Sequence, residues 1–263
     1  MADLEALLGD LAEESAELER LVAPLTPAEW ATPTPAEGWT IAHQIGHLAW
    51  TDEIATISAS DADRFATLVA EAGPRVLTFV DEAAEEAAAA EPAQLLERWR
   101  RSRVELANAL RNVSDGAKVP WFGPPMSAAS MVTARTMETW AHGQDVADAL
   151  GVTRTPTARL RTVAHIGART RNFAYMVRGK QAPAEEFRIE LTAPDGSLWT
   201  WGPEGAAQRV TGPALDFCLL VTQRRHRDDL ALTTVGADAA EWLTIAQAFA
   251  GPSGAGRAAG QFA

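Results

Sequence analysis

With 263 residues, 47% of them hydrophobic, the chain can build substantial cores in one large domain or two ordinary ones. Its formal net charge of −12 argues against a surface made to neutralise phosphates, and so against nucleic acid as a partner. Cys218 is the single cysteine, which excludes an intrachain disulfide and leaves nitrogen and oxygen ligands for any metal site.

In chain order the first elements are helices. The stretch "MADLEALLGDLAEESAELERL" is acidic from residue 3 and lacks the basic region and long apolar core of a signal peptide. No apolar run of about 18 residues follows, so no membrane span is expected and the chain reads as a soluble, cytoplasmic protein. Leu4, Leu7, Leu8, Leu11, Leu18, Leu21 and Val22 recur at helical spacing. "LTPAEW" supplies Thr26 as an N-cap, Pro27 at the first helical position and Glu29 two residues later. After the loop "ATPTPAEGWT", Thr40 can cap a long helix that carries His43 and His47. "AGP" at 72–74 breaks the next helical stretch, and an Ala/Glu-rich helix, read as solvated, resumes to about residue 90.

Pro92 opens a helix with Leu95, Leu96, Trp99, Leu106, Leu110 and Val113 on its inner face. Past "SDGAKVPWFGPP", Ser127 caps a helix ending at "ADALG", with Gly151 placed as the residue after its end. These long helices are the parts of an antiparallel bundle. One further helix is expected over 157–178, ending at Gly179. Near residue 180 the apolar period changes to two: "EFRIELT", a "PDG" turn, "SLWTWG" and "AQRVTG" read as strands. "PALDFCLLVTQR" reads as a helix, "LALTTVG" as a strand and "DAAEWLTIAQAFA" as a last helix. The resulting organisation is a helix bundle over 1–155, a bridging helix over 156–180, a small α+β domain over 181–250 and a flexible Gly/Ala-rich tail over 251–263.

Two constellations carry chemistry. "HQIGH" places His43 and His47 four residues apart, on roughly one helix face. "METWAHGQD" does the same for Glu138 and His142. One Glu and two His from two facing helices would make a three-ligand site with a vacancy, the kind that catalyses. Asp145, three residues beyond His142, could orient that imidazole. Against this, a lone histidine is more often a hydrogen-bonded core residue, and an isolated ExxxH occurs by chance. A buried Glu138 without a partner would be costly, however, and a metal is an economical partner.

"GWTIAHQIGHLAW" resembles the second-helix motif of DinB-like bundle proteins, and within them the mycothiol-dependent maleylpyruvate isomerase branch. The hairpin "RIELTAPDGSLWTWG" and "LALTTVGADAAEWLTIAQAF" are similar to that branch's sterol-carrier-like C-terminal domain. The resemblance implies a DinB-like four-helix bundle followed by a small sterol-carrier-like α+β domain. It also implies a divalent metal, usually Zn²⁺, on His47, Glu138 and His142, with His43 left as a pocket neighbour. In that family the thiol is mycothiol, the sugar-linked cysteine of actinobacteria. The isomerase adds the thiolate to a double bond, allows rotation and eliminates it.

The implied function is thiol-dependent isomerisation or S-transfer on a small electrophile such as an unsaturated acid. A metal-dependent hydrolase and a non-catalytic small-molecule-binding protein are the alternatives. "TQRRHRDDL" holds Arg224 and Arg225 as a candidate anion-binding pair, although cations near a helix C-terminus are favourable without any function. Trp39 is expected against the start of the His47 helix, with Trp50 and Trp140 in the bundle core. Trp121 and Phe122 are expected as a pocket lid or a loop anchor, and Cys218 as an inert core residue.

Overall fold

A computed structural model of the protein describes residues 3–75, 78–254 and 256–262. The chain divides into two compact units, Met1–Arg154 and Thr155–Ala263. No helix among the described residues is long and apolar enough to cross a membrane.

The first unit is helical: α1 (Leu4–Val22), α2 (Pro27–Trp30), α3 (Ile41–Ser60), α4 (Ala62–Ala72), α5 (Phe79–Ala88), α6 (Pro92–Arg111) and α7 (Ala128–Ala149). The caps lie where the residue types place them. The Thr26 hydroxyl accepts from the Glu29 N–H while Glu29 reaches back to the Thr26 N–H, and the Ser127 side chain accepts from the Ser130 N–H. Gly151, at φ +65°, turns the chain out of α7, a conformation that costs glycine little.

Helix α3 is the centre of the unit. It packs against α5, α6 and α7, and α1 packs against α7. Its apolar residues Ile41, Ile45 and Leu48 are fully buried with Leu18, Trp30, Leu95, Trp99 and Val146. Leu8, Ala55, Leu106, Leu110, Met131 and Val132 form a second cluster further along the same helices.

The Ala/Glu-rich segment expected as a solvated helix is solvated on one side only. Glu82, Glu85 and Glu86 are exposed, whereas Ala84 and Ala87 are buried against α3. The contact depends on Gly46, where a Cβ would lie 2.7 Å from the Ala87 Cβ. A buried ion pair, Arg135 Nε to Asp52 Oδ1 at 2.9 Å, ties α7 to α3 within the core. Arg154, just past α7, donates to the Trp140 carbonyl at 2.9 Å and pairs with Glu14 and Glu17 of α1.

The second unit holds α8 (Leu160–Arg169), α9 (Arg171–Val177), strands β1 (Phe187–Thr192), β2 (Leu198–Trp201) and β3 (Gln208–Pro213), α10 (Ala214–Val221), β4 (Thr233–Val235) and α11 (Ala237–Ile245). The sheet order is β2-β1-β3-β4, with β1 and β3 parallel and the other pairs antiparallel. Phe187, Ile189 and Leu191 alternate onto the buried face, and Trp242 of α11 meets the Phe187 and Phe217 rings at 5.8 and 5.9 Å.

Two expected boundaries move. The single helix over 157–178 is α8 and α9: at Thr170 (φ −89°, ψ 9°) the backbone leaves the helical path. The last helix stops at Ile245: Ala246 is extended (ψ 134°), and the Ala248 N–H is taken by the Val221 carbonyl at 2.7 Å. Of the tail read as 251–263, Ala255 and Ala263 lie outside the described residues. Within the rest of it, the Gly260 N–H donates to the Asp229 carboxylate at 2.9 Å.

Gly46→Ala should therefore lower unfolding stability by about 1–3 kcal/mol through overpacking. Gly9→Ala, on the exposed side of α1 with nothing within 4 Å, should raise it by about 0.5–1 kcal/mol. Urea melts of the two variants measure both signs.

Candidate metal centre

Side-by-side packing of α3 and α7 brings their polar positions together inside the bundle. His47, one turn after the buried Gln44, faces Glu138 and His142, which are one turn apart on α7. Their donor atoms all lie within 4.8 Å of one another. Glu138 Oε2 stands 3.2 Å from His142 Nε2 and 3.5 Å from His47 Nε2. The imidazole centroids are 4.6 Å apart. Both histidines are buried, and the Glu138 side chain keeps 21% exposure.

Electrostatics keep the carboxylate ionised. Burial pushes the Glu138 carboxyl up, but hydrogen bonds from His142 and His47 and the charge on both rings outweigh it and hold the group well below its ordinary range. The donor set suits a divalent cation: two imidazole nitrogens and one carboxylate oxygen are borderline-hard ligands of the type zinc takes. The spacing suits it as well. Ligands 2.0–2.2 Å from a tetrahedral ion lie about 3.4 Å from one another, against the 3.2 and 3.5 Å found around Glu138.

The surrounding residues separate the two histidines of "HQIGH". His43 sits in the first turn of α3 and works as part of its cap. The Thr40 N–H donates to His43 Nδ1 at 3.2 Å, and His43 Nε2 meets Glu85 Oε2 at 2.7 Å. Both of its nitrogens are occupied away from the cluster. Gln44 Oε1 meets His142 Nδ1 at 2.5 Å. Asp145 is fully buried on α7. His47 Nδ1 is buried with no hydrogen-bond partner among the described residues.

Trp39, half-buried at the end of the loop before α3, stacks on His142 at 5.9 Å and 17° and lies 5.3 Å from His47. It therefore packs on the cluster itself, beyond the helix start expected for it. Its indole N–H donates to Asp81 at 3.1 Å. Trp140 is buried as expected. Trp50 is only half-buried and lies between His47 (6.2 Å) and Phe79 (5.7 Å). Trp121 stacks on Phe65 at 6.0 Å with Phe122 edge-on to it at 5.4 Å, so those two rings fasten their loop onto α4.

In the second unit, Arg224 donates to the Thr222 carbonyl at 2.6 Å. Arg225 donates to the Arg224 carbonyl at 2.7 Å and lies over the Phe262 ring at 4.0 Å. Cys218 is buried, and burial alone pushes its thiol well up, as an inert core residue requires.

Comparison with known proteins matches residues 11–147 to the family model "Mycothiol maleylpyruvate isomerase N-terminal domain", a segment that contains the whole cluster. Residues 183–235, the sheet region, match a second family model, "Wyosine base formation". The chain is 58% identical over 257 residues to two uncharacterized proteins of Mycobacterium tuberculosis, from strains CDC 1551 / Oshkosh and H37Rv, covering 98% of this chain and all of each relative. Among solved structures it resembles a mycothiol-dependent maleylpyruvate isomerase and a histidine-to-alanine mutant of it. The TM-scores are 0.60 and 0.59 at 20% identity, covering 88% of this chain and 92% of each of those. At that identity the likeness shows the fold.

The depressed Glu138 carboxyl gives an acid limb to stability. A group lowered on folding stabilises above its unfolded value, ordinarily 4.5, and that contribution is lost as pH falls through the folded value. Stability of the metal-free protein should therefore drop on acidification below about pH 4.5, and Glu138→Gln should flatten that limb. Urea melts across the acid range check this; parallel curves for the two proteins would refute it.

Proposed function

The chain belongs to the mycothiol maleylpyruvate isomerase N-terminal domain family, and from that premise we propose that it is a metal-dependent enzyme with a thiol cosubstrate. The thiol is mycothiol, and the reaction is isomerisation or S-transfer on a small electrophile such as an unsaturated acid, carried out in the cytoplasm. The observation that carries the reading is the convergence of three nitrogen and oxygen donors from two helices.

His47, Glu138 and His142 would hold a divalent cation, Zn²⁺ by their chemistry. A cation so held lowers the pKa of a coordinated thiol and supplies thiolate, the nucleophilic form, at neutral pH. The protein's own groups support that role. Glu138, already ionised, offsets one of the two positive charges, and imidazoles that ligate a cation are neutral and add none. The remaining positive charge favours an anionic fourth ligand over a neutral one. Trp39, stacked across His142, covers one face of the cluster and keeps water from it. The alternatives of a hydrolase or a binding module have no separate observation in their favour.

Elemental analysis of the dialysed protein should find one zinc per chain. His47→Ala, Glu138→Gln and His142→Ala should each lose it, and His43→Ala should keep it. The zinc protein should isomerise maleylpyruvate or a related cis-unsaturated acid with mycothiol present and show no turnover without a thiol. Turnover independent of thiol would replace this reading with the hydrolase.

A further inference from the structure

Gln44 is fully buried, one turn before His47 on α3, and its two amide ends do different things. Its Nε2 lies 2.8 Å from Thr34 Oγ1, and its Oε1 lies 2.5 Å from His142 Nδ1. Which end is which follows from the neighbours. The Thr34 hydroxyl donates its single proton to the Trp39 carbonyl at 2.9 Å, and a carbonyl can only accept. The hydroxyl can then only accept from Gln44, so the amide NH₂ faces Thr34 and the amide oxygen faces His142. An amide oxygen accepts, so His142 Nδ1 must carry a proton, and a neutral ring in that tautomer has a bare lone pair on Nε2. Nε2 is the atom that points at Glu138, 3.2 Å away. In the metal-free protein a proton on Nε2 bridges the ring to Glu138, and a cation would take the place of that proton while Nδ1–H stays on Gln44.

The loop that ends this chain of bonds is itself fixed. The Thr34 N–H also donates to the Trp39 carbonyl, at 2.8 Å, the Ile41 N–H to the Thr32 carbonyl at 3.1 Å, and Pro33 and Thr40 pair as a bridge. The same loop presents Trp39, whose ring stacks on His142. His142 is thus held at one nitrogen and across one face, whereas His47 Nδ1 has no partner among the described residues.

We propose that Gln44, oriented by Thr34, is a positioning residue that fixes the Nδ1–H tautomer of His142 and so presents Nε2 as a preformed ligand to the cation. This rests on the metal reading above. An amide does so without adding charge, which leaves the positive charge of the loaded site for an anionic ligand. Removing a group that orients a ligating histidine costs about 10–100-fold in metal affinity.

The test is a zinc titration against a chromophoric chelator with wild-type protein, Gln44→Leu, Gln44→Glu and Thr34→Val. Gln44→Leu, of similar size and without an acceptor, should bind zinc about 10–100-fold more weakly. Gln44→Glu keeps an acceptor on Nδ1 and should restore affinity to near wild type, a rescue that a merely space-filling glutamine would not show. Thr34→Val, which cuts the bond at the loop and leaves the core intact, should weaken binding less than Gln44→Leu. It stands in if the buried variants do not fold. As a readout without metal, nitrogen-15 spectra of the histidines should show His142 protonated at Nδ1 in the wild type and a mixture of tautomers in Gln44→Leu. Zinc binding by Gln44→Leu equal to that of wild type would overturn the inference alone. Absence of zinc binding in the wild type would overturn the metal reading and the inference with it.

Discussion

The ionised Glu138 carboxylate, set between two imidazoles inside a helix bundle, is the interaction on which the rest of this structure turns. A charge in that position is expensive unless positive charge accompanies it, and the protein brings two nitrogen donors to within 3.5 Å of one of its oxygens. The two donors come from different helices, so the arrangement exists only while α3 and α7 keep their register. The Arg135–Asp52 pair spans these same two helices in the core, a turn from Glu138 on one and from His47 on the other. Removing one partner of such a buried pair leaves an uncompensated charge, typically at a cost of about 3–5 kcal/mol. The pair therefore penalises slippage of α3 against α7.

Around this pair of helices the neighbouring elements complete the surroundings of the cluster. Gly46 lets α5 approach α3 directly beside His47, and α5 brings Asp81 and Glu85 to the Trp39 indole and to His43. The histidine nearest the helix start is thereby drawn into capping and bridging work, while the one a turn later enters the core. Two residues of the same type, four apart on one helix, end with different jobs because only the first lies within reach of the unpaired N–H groups of the helix N-terminus.

Much of this is legible in the sequence. The capped helices, the His47 face, the Glu138–His142 spacing and the change to period two near residue 187 all follow from local rules, and the structure places them accordingly. What was not legible arises from partners distant in the chain. Gln44 reads as a stray polar residue in an apolar run, and nothing local says that residue 142 will lie against it. The one available signal was its burial-prone position three residues before a candidate ligand. The Ala face of α5 was hidden because its tight contact depends on a glycine some forty residues earlier. The break at Thr170 was hidden because no glycine or proline stands between Gly167 and Gly179 to mark it.

Family membership and the cluster geometry bear on the same segment, since residues 11–147 contain all three donors. The central claim is that this cluster holds a cation with a position free for a thiolate. The most direct measurement is the absorption spectrum of the cobalt-substituted protein during titration with mycothiol. The account predicts a sulfur-to-cobalt charge-transfer band that saturates at one thiol per metal and is absent from a Glu138→Gln control. Cobalt bound at His47, Glu138 and His142 whose spectrum does not change at saturating thiol would contradict it.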